Sequence, residues 1–427
     1  MFSVKAASSG HVTGFWSISL ALPLAMMGAG FGVGAGCTPS PSGPSATGGG
    51  GGFAIGSGGG GGLSGGGGAT ATGGAPGTGG RPPQTCVPPA DKNQPAAKLS
   101  QTGCVIPTDP RKLAASVIPY EVNSPLWSDG ADKTRGLALP EGGKIHVKNC
   151  GAAPSECPSV RDRTDDGKWL LPPGTVLVKG FSFDGKLLET RLYIQFGDKT
   201  WAGYSYKWDE AQTDATLVGE SRDQVSFNTG QRTVDWHYPS RRDCDKCHLE
   251  AAGFALGTET AQLNRVVAGA NQLDTLTALG AFDAPLPKPY KAALVAPYPS
   301  QAGTPPAGAT VEQRAVSYLH ANCGFCHRPA DDIDCTAEPC LDLRAGLMFA
   351  ERRLCDVAPS GNNLGVEGAR NVVPGQPDKS LLWVRMNRPP DDGNGKHGRM
   401  PLLASYVIDQ MAVDLVGSWI SSTPTCP

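Results

Sequence analysis

Two short segments of this chain hold the residue types from which chemistry can be built: Cys244-Asp245-Lys246-Cys247-His248 and Cys323-Gly324-Phe325-Cys326-His327. In each, two thiols stand about one helical turn apart and an imidazole follows at once. That spacing suits thioether bonds from both sulfurs to the two vinyl groups of one haem, with the histidine beneath the iron as proximal ligand. With 13 cysteines and seven histidines in 427 residues, one such match arises by chance about 0.006 times. Two matches are not an accident of composition. A zinc ribbon sets its two C-x-x-C pairs about 15–20 residues apart, far closer than these. A thioredoxin-like dithiol needs a βαβ setting that neither motif has, and ordinary disulfides need no adjacent histidine. The pattern therefore predicts two haems c, held by Cys244, Cys247 and His248 and by Cys323, Cys326 and His327. Because each motif lies in its own segment, the two sites are expected to respond independently.

The sixth ligands are less evenly written. Arg399-Met400-Pro401 sits late in the chain, ahead of a final amphipathic segment. The Met400 thioether is the expected distal ligand of the second iron, a His/Met pairing that raises the reduction potential. Met386 and Met411 read as core side chains. The first motif has no such partner, since no methionine lies between His248 and Met348. His146, His237, His320, His397 and Met348 remain as candidates, or the position is open.

Several elements must position these groups. Thr175–Lys179, Leu188–Phe196 and Trp201–Tyr206 are rich in β-branched and aromatic residues, with turn signals at Asp184-Gly185 and Gly197-Asp198. Residues 86–229 are thus expected to form an antiparallel β domain, sandwich-like. Beyond it the chain reads as mostly α-helical cytochrome c-type domains, with a first haem segment over 230–300 and a second haem domain over 301–427. Helices are predicted over Glu259–Leu279, Val311–His320 and Asp409–Ile420, the last with Met411, Leu415 and Trp419 at helical spacing. A proline-rich linker is expected over Ala284–Ala307.

The N-terminus sets the compartment. Residues 1–36 combine a positively charged start, an apolar run and small residues, which is the pattern of a secretory signal. Cys37 follows at once, as in a bacterial lipoprotein, where it would carry the lipid, although Gly34 stands where such signals usually have leucine. Residues 37–85 are Gly, Ser, Thr and Pro with almost no large apolar side chain, so a flexible tether is expected there. In an exported chain the eight cysteines outside Cys37 and the two motifs suggest disulfides. Short separations favour Cys86–Cys104 and Cys150–Cys157, while Cys335, Cys340, Cys355 and Cys426 allow three pairings. A net charge of -2 argues against nucleic acid or an anionic membrane surface as the main partner.

The chain after the tether resembles a family of largely uncharacterised exported bacterial dihaem c-type cytochromes. The resemblance rests on Ser124-Pro125-Leu126-Trp127-Ser128-Asp129-Gly130, Glu189-Thr190-Arg191, Gln212-Thr213-Asp214-Ala215 and Tyr238-Pro239-Ser240-Arg241. It continues in Leu256-Gly257, Gln262-Leu263-Asn264, Tyr318-Leu319, Leu343-Arg344 and Pro374-Gly375. One departure is Leu402, where the family tends to repeat proline after Met400-Pro401. Members often accompany quinoprotein sugar-dehydrogenase-like modules, which implies a role in accepting electrons. The expected function is electron transfer outside the cytoplasm, from a dehydrogenase to a cytochrome or quinone-linked acceptor, with a lipid anchor at the membrane. A dihaem peroxidase using an open first iron, and a lipid-tethered binding or redox-sensing module, are the alternatives. The polar family motifs read as fold-determining turns rather than as a binding site.

Overall fold

The computed structural model describes residues 81–157, 162–297, 308–328, 341–359, 361–389, 398–402 and 405–426. The signal, Cys37, the tether up to residue 80, Cys335, Cys340 and His397 lie outside the described residues. Residues 81–85 are already part of the fold: Arg81 Nη2 donates to Gly143 O at 2.8 Å and Thr85 Oγ1 to Gly103 O at 2.8 Å.

An antiparallel six-stranded sheet organises the first half. Its strands are β1 (Ile118–Pro119), β2 (Asp132–Ala138), β3 (Val176–Phe183), β4 (Lys186–Gly197), β5 (Thr200–Trp208) and β6 (Ala215–Leu217), each paired with the next in a meander. Asp184 and Gly185, both at positive φ (50° and 79°), make the tight β3–β4 turn that the Asp-Gly pair predicts. A two-residue turn joins β4 to β5, where Gly197 pairs with Thr200. Two further strands, β7 (Asp223–Asn228) and β8 (Thr233–Tyr238), form a separate hairpin. The expected sandwich is thus, among the described residues, a single large sheet whose faces are covered by hairpins, loops and helical chain.

Both faces are buried, which explains why β3 and β4 read as nearly continuous apolar runs. On one face Val176, Val178, Leu192, Ile194, Tyr204 and Tyr206 pack with Leu99 and the Cys86–Cys104 disulfide. On the other, Leu137, Leu177 and Tyr193 pack with Leu263, Leu273 and Leu276 of the segment that follows the first motif. Fully burying each such leucine is worth about 1.5–3 kcal/mol, so sheet and segment share one core.

Two glutamines lock that contact. Gln262 exchanges hydrogen bonds with the Ser124 backbone (N–H to Oε1 and Nε2 to O, both 2.9 Å), as a neighbouring strand would. Gln272 does the same with Glu121, at 2.7 and 2.9 Å. The single helix expected over Glu259–Leu279 is instead α2 (Thr260–Leu263), a hairpin of Val266–Val267 with Ala270–Asn271, and α3 (Gln272–Ala278). Ala268 and Gly269 both take positive φ (50° and 86°), a two-residue turn that apolar periodicity does not register. Before them, α1 (Arg241–Asp245) carries the first motif.

The last part is built from short helices. Those that pack are α4 (Val311–Asn322), α5 (Leu381–Met386) and α6 (Gln410–Ser422), around Leu319, Leu354, Val372, Val416 and Trp419. The α4 and α6 predictions hold, with Thr310 and Asp409 as side-chain caps. Met386 is buried as expected, but Met411 is 51% exposed. Each four-residue step along a helix overshoots a full turn by about 40°, so Met411 stands about 80° from Trp419 and leaves the buried stripe. Cys86–Cys104, Cys150–Cys157 and Cys355–Cys426 are disulfide-bonded, the mark of a chain that folds in an oxidising compartment. No helix among the described residues is long and apolar enough to cross a membrane.

Candidate functional site

Among the described residues the four motif cysteines are the unpaired ones. The first motif is set by its helix start: Ser240 caps α1 and Asp243 closes the capping box. The Arg222 guanidinium grips Asp243 with two bonds, at 2.6 and 2.7 Å. That grip, helped by the Ser240 and Lys246 bonds, outweighs burial and holds the Asp243 carboxyl well below the usual range. Cys244 then lies against β5 at Gly203. A Cβ there would stand 2.5 Å from Cys244 Sγ and 3.1 Å from its Cβ, so only glycine leaves the sulfur room.

On the expectation that the first motif attaches a haem, Gly203→Val should block attachment there while costing the fold about 1–3 kcal/mol in overpacking. Intact mass should show one haem per chain rather than two; a variant still carrying two would refute the close approach.

His248 donates from Nδ1 to Phe254 O at 2.5 Å. A carbonyl can only accept, so the proton sits on Nδ1 and Nε2 keeps its lone pair for a metal. Phe254 takes φ 60°, which turns its carbonyl back toward the ring. Burial, helped by the repulsion of Lys179 and Arg191, far outweighs that bond and pushes the imidazole down to about 3. It is a neutral imidazole at any physiological pH. Tyr193 lies against the His248 ring with centroids 3.9 Å apart. Together with Cys244, Cys247, His237 and the face of β3–β5, they line a cavity on the second face of the sheet. The β region is therefore a wall of this site.

The second motif begins where α4 ends. Cys323 N and Gly324 N both donate to Leu319 O (2.8 and 2.9 Å), and His327 N to Cys323 O (2.8 Å). A side chain on Gly324 would collide with His320 O at 2.8 Å. Burial, then the Arg385 guanidinium, hold the His327 imidazole below its ordinary value. Arg385 also accepts the Met400 N–H on its carbonyl at 3.1 Å, so His327 and the Met400 loop converge on α5. Beside Met400, Arg399 is only 2% exposed, yet its Nε and Nη1 have no hydrogen-bond partner among the described residues.

The two motifs do not stand apart, contrary to the expectation of independent sites. Cys326 Sγ lies 3.8 Å from Lys246 O, inside the first motif. The segment Ser124–Gly130 brings this about. Ser124 Oγ donates to Ser317 O (2.9 Å), Trp127 N to Asn322 Oδ1 (2.6 Å) and Trp127 Nε1 to Val407 O (3.1 Å), while Asp129 accepts from Tyr406 N and Val407 N. A second tie is Asp165, which meets Arg328, Arg344 (3.3 Å) and Lys168 (3.7 Å). Although close, the thiols do not converge as a zinc site would, since no group of three or more metal-ligating side chains gathers among the described residues. Burial pushes the Cys244 thiol up to about 11 and those of Cys247 and Cys323 to about 12, away from the thiolate range of reactive cysteines.

Burial by itself would raise the Asp165 carboxyl, but Lys168, Arg328 and Arg344 bring it below the usual range. A depressed carboxylate contributes stability above the unfolded value of about 3.9 and loses it as pH falls below that. Asp165→Asn should then cost about 3–5 kcal/mol at pH 7, the expense of breaking a buried pair. Thermal unfolding at pH 7 and below pH 4 checks this: the gap between the two proteins should narrow in acid. A constant gap would place the stabilisation elsewhere.

The structure separates the candidates for the sixth position at the first motif. His146 uses both nitrogens, toward Asp283 (2.7 Å) and Glu156 (3.3 Å). His320 does too, toward Glu259 (2.7 Å) and Ala345 N (3.0 Å). Met348 is 70% exposed. His237 alone among the described candidates lines the His248 cavity, its ring stacked on Tyr406 at 3.4 Å. Gly203, Phe254 and Asp165 were not singled out from the sequence; a lone glycine in an aromatic strand is the one local signal that pointed to a close approach. Neither the models of known protein families, nor the curated proteins, nor the solved structures contain a match to this chain.

Proposed function

We propose that this chain is an exported dihaem c-type electron carrier, a member of the cytochrome family it resembles. The observation that carries the reading is the contact between the two motifs, each with a half-buried imidazole and two unpaired thiols. Cys244, Cys247 and His248 would hold one haem, with His237 as its sixth ligand. Cys323, Cys326, His327 and Met400 would hold the other. Bound there, the two groups supply one-electron iron chemistry. The chain would fix the tautomer of His248 through Phe254, half-bury both imidazoles and hold the two motifs in contact through Cys326 and Lys246. In this reading residues 308–426 are the cytochrome c-like unit, with α4 packed on α6. The donor would be an extracytoplasmic dehydrogenase and the acceptor a cytochrome or quinone-linked carrier, with Cys37 lipidated at the membrane.

Protein matured in a host that attaches haem c should carry two haems by intact mass and absorption. Its reduced form should be reoxidised by a cytochrome or quinone acceptor. Failure with every such acceptor would remove the carrier reading, and a high-spin signal with peroxide-dependent turnover would replace it with a peroxidase.

A further inference from the structure

The second face of the sheet carries a row of cations without enough anions. Arg135 of β2, Lys179 of β3 and Arg191 of β4 stand directly opposite one another in register. Like charges placed so cost a sheet stability. Arg191 is satisfied: both Glu189 oxygens accept from it at 2.8 Å, and one also takes Trp236 Nε1 at 2.9 Å. Among the described residues no carboxylate bonds to Arg135 or Lys179, and the nearby Glu121 is bridged to Arg265 at 2.9 Å. Burial, with Arg135 and Arg191 beside it, pushes the Lys179 ammonium down to about 7. A cation so placed is stabilised by an anion set against it.

The row also has a telling position. Lys179 lines both cavities, the one with His248 and Cys247 and the one bounded by Gly324 and Phe325. Arg191 lines the first and Arg135 the second. An apolar sheet face that covers a core has no use for three aligned charges; a face that meets carboxylates does. Arginine offers a planar fork to a carboxylate and lysine a compact point charge, and both bonds are charge-assisted.

We propose that the Arg135–Lys179–Arg191 row is a carboxylate clamp whose ligands are the propionates of the groups attached at the two motifs, with Lys179 between them. This rests on the dihaem reading. A diffusible carboxylate entering the cavities would have the same chemistry, and the test separates the two sources.

The holoprotein is compared with Lys179→Gln, Arg135→Gln and the charge-keeping Lys179→Arg. Intact mass should show two attached haems in all four proteins. Resonance Raman should show the propionate bending modes moved in both Gln variants and restored in Lys179→Arg. Spectroelectrochemistry should show at least one potential lowered by about a tenfold change in the reduction equilibrium, 59 mV for one electron, since a lost cation favours the oxidised iron. If Lys179→Gln does not fold, Arg135→Gln at the end of the row carries the measurement. Unmoved modes and potentials in the Gln variants of a two-haem protein would overturn the clamp and leave the dihaem reading standing. Spectral shifts on adding acetate to the wild type, lost in Lys179→Gln, would assign the row to a diffusible anion and also overturn it. A wild type without covalent haem would remove both.

Discussion

In the proposed dihaem protein, His237→Ala is expected to convert one of the two irons from low-spin and six-coordinate to high-spin or water-ligated, with both haems still covalently attached. Attachment depends on Cys244 and Cys247, and the proximal imidazole is oriented by Phe254 O rather than by anything His237 touches. His237 sits near the end of β8, opposite Gln224, where the hairpin aims it into the His248 cavity. Its ring is held by Tyr406, whose own backbone N–H is bonded to Asp129 at 2.7 Å. The ring is thus oriented from three parts of the chain, and that order is consistent with a ligand. Burial outweighs the pull of Asp129 and Asp235 and lowers its basicity, which favours the neutral, metal-binding form. EPR and absorption of the oxidised protein provide the reading. His237→Met should stay low-spin and raise that potential, since a thioether favours the ferrous state. An unchanged low-spin pair in His237→Ala would pass the assignment to another residue. A high-spin iron already present in the wild type would mean that the first site is open, as the peroxidase alternative requires.

What the sequence announces and what it hides divide along one physical line. The two attachment motifs, strands β3 to β5, helices α4 and α6 and the two short-range disulfides are local: spacing, alternation and cap residues specify them within a few positions. The relations between segments are not local. Nothing in Ser124–Gly130 signals that Trp127 will bond Asn322 and Val407, or Asp129 the Tyr406 backbone. Of the polar segments expected to be turns, Asp129-Gly130 and Gln212 do lie in turns, and several also join distant segments: Gln262 bonds Ser124, and Gln212 bonds both backbone groups of Leu187. The region after the first motif failed differently. Its apolar residues fit a helical period, yet Asn264, Ala268-Gly269 and Asn271 break it into a hairpin, because turn geometry overrides periodicity. The cations on β3 and β4 interrupt stretches rich in apolar residues. That interruption was legible, but their alignment required the register.

In the proposed dihaem protein, Met400→Ala carries the largest effect at the second motif. Both haems should remain attached, since the thioethers come from Cys323 and Cys326. One iron should lose its sixth ligand, become high-spin and fall in potential, because the thioether stabilises the ferrous form. A drop of about two tenfold steps in the reduction equilibrium, near 118 mV at 59 mV each, is the scale to look for. The loop should survive the change. The Met400 N–H still donates to Arg385 O, and the Arg385 side chain still bonds Gly398 O and Asn362 O at 2.8 Å. His327→Ala should behave differently and lose the second haem, since the proximal imidazole belongs to the attachment motif. The contact of Cys326 with Lys246 alters what happens at the other site. Two redox groups so close titrate as a pair, with apparent potentials that belong to both. The first haem should therefore shift as well, in the same experiment and by less, where separated sites would leave it unmoved. A near-infrared sulfur-to-iron band that persists in Met400→Ala would show that another methionine is the ligand. Met386 is then the harder alternative to accept, since it would have to leave the core formed by α4, α5 and α6. Met411, half-exposed at the start of α6, could be tested without disturbing that core.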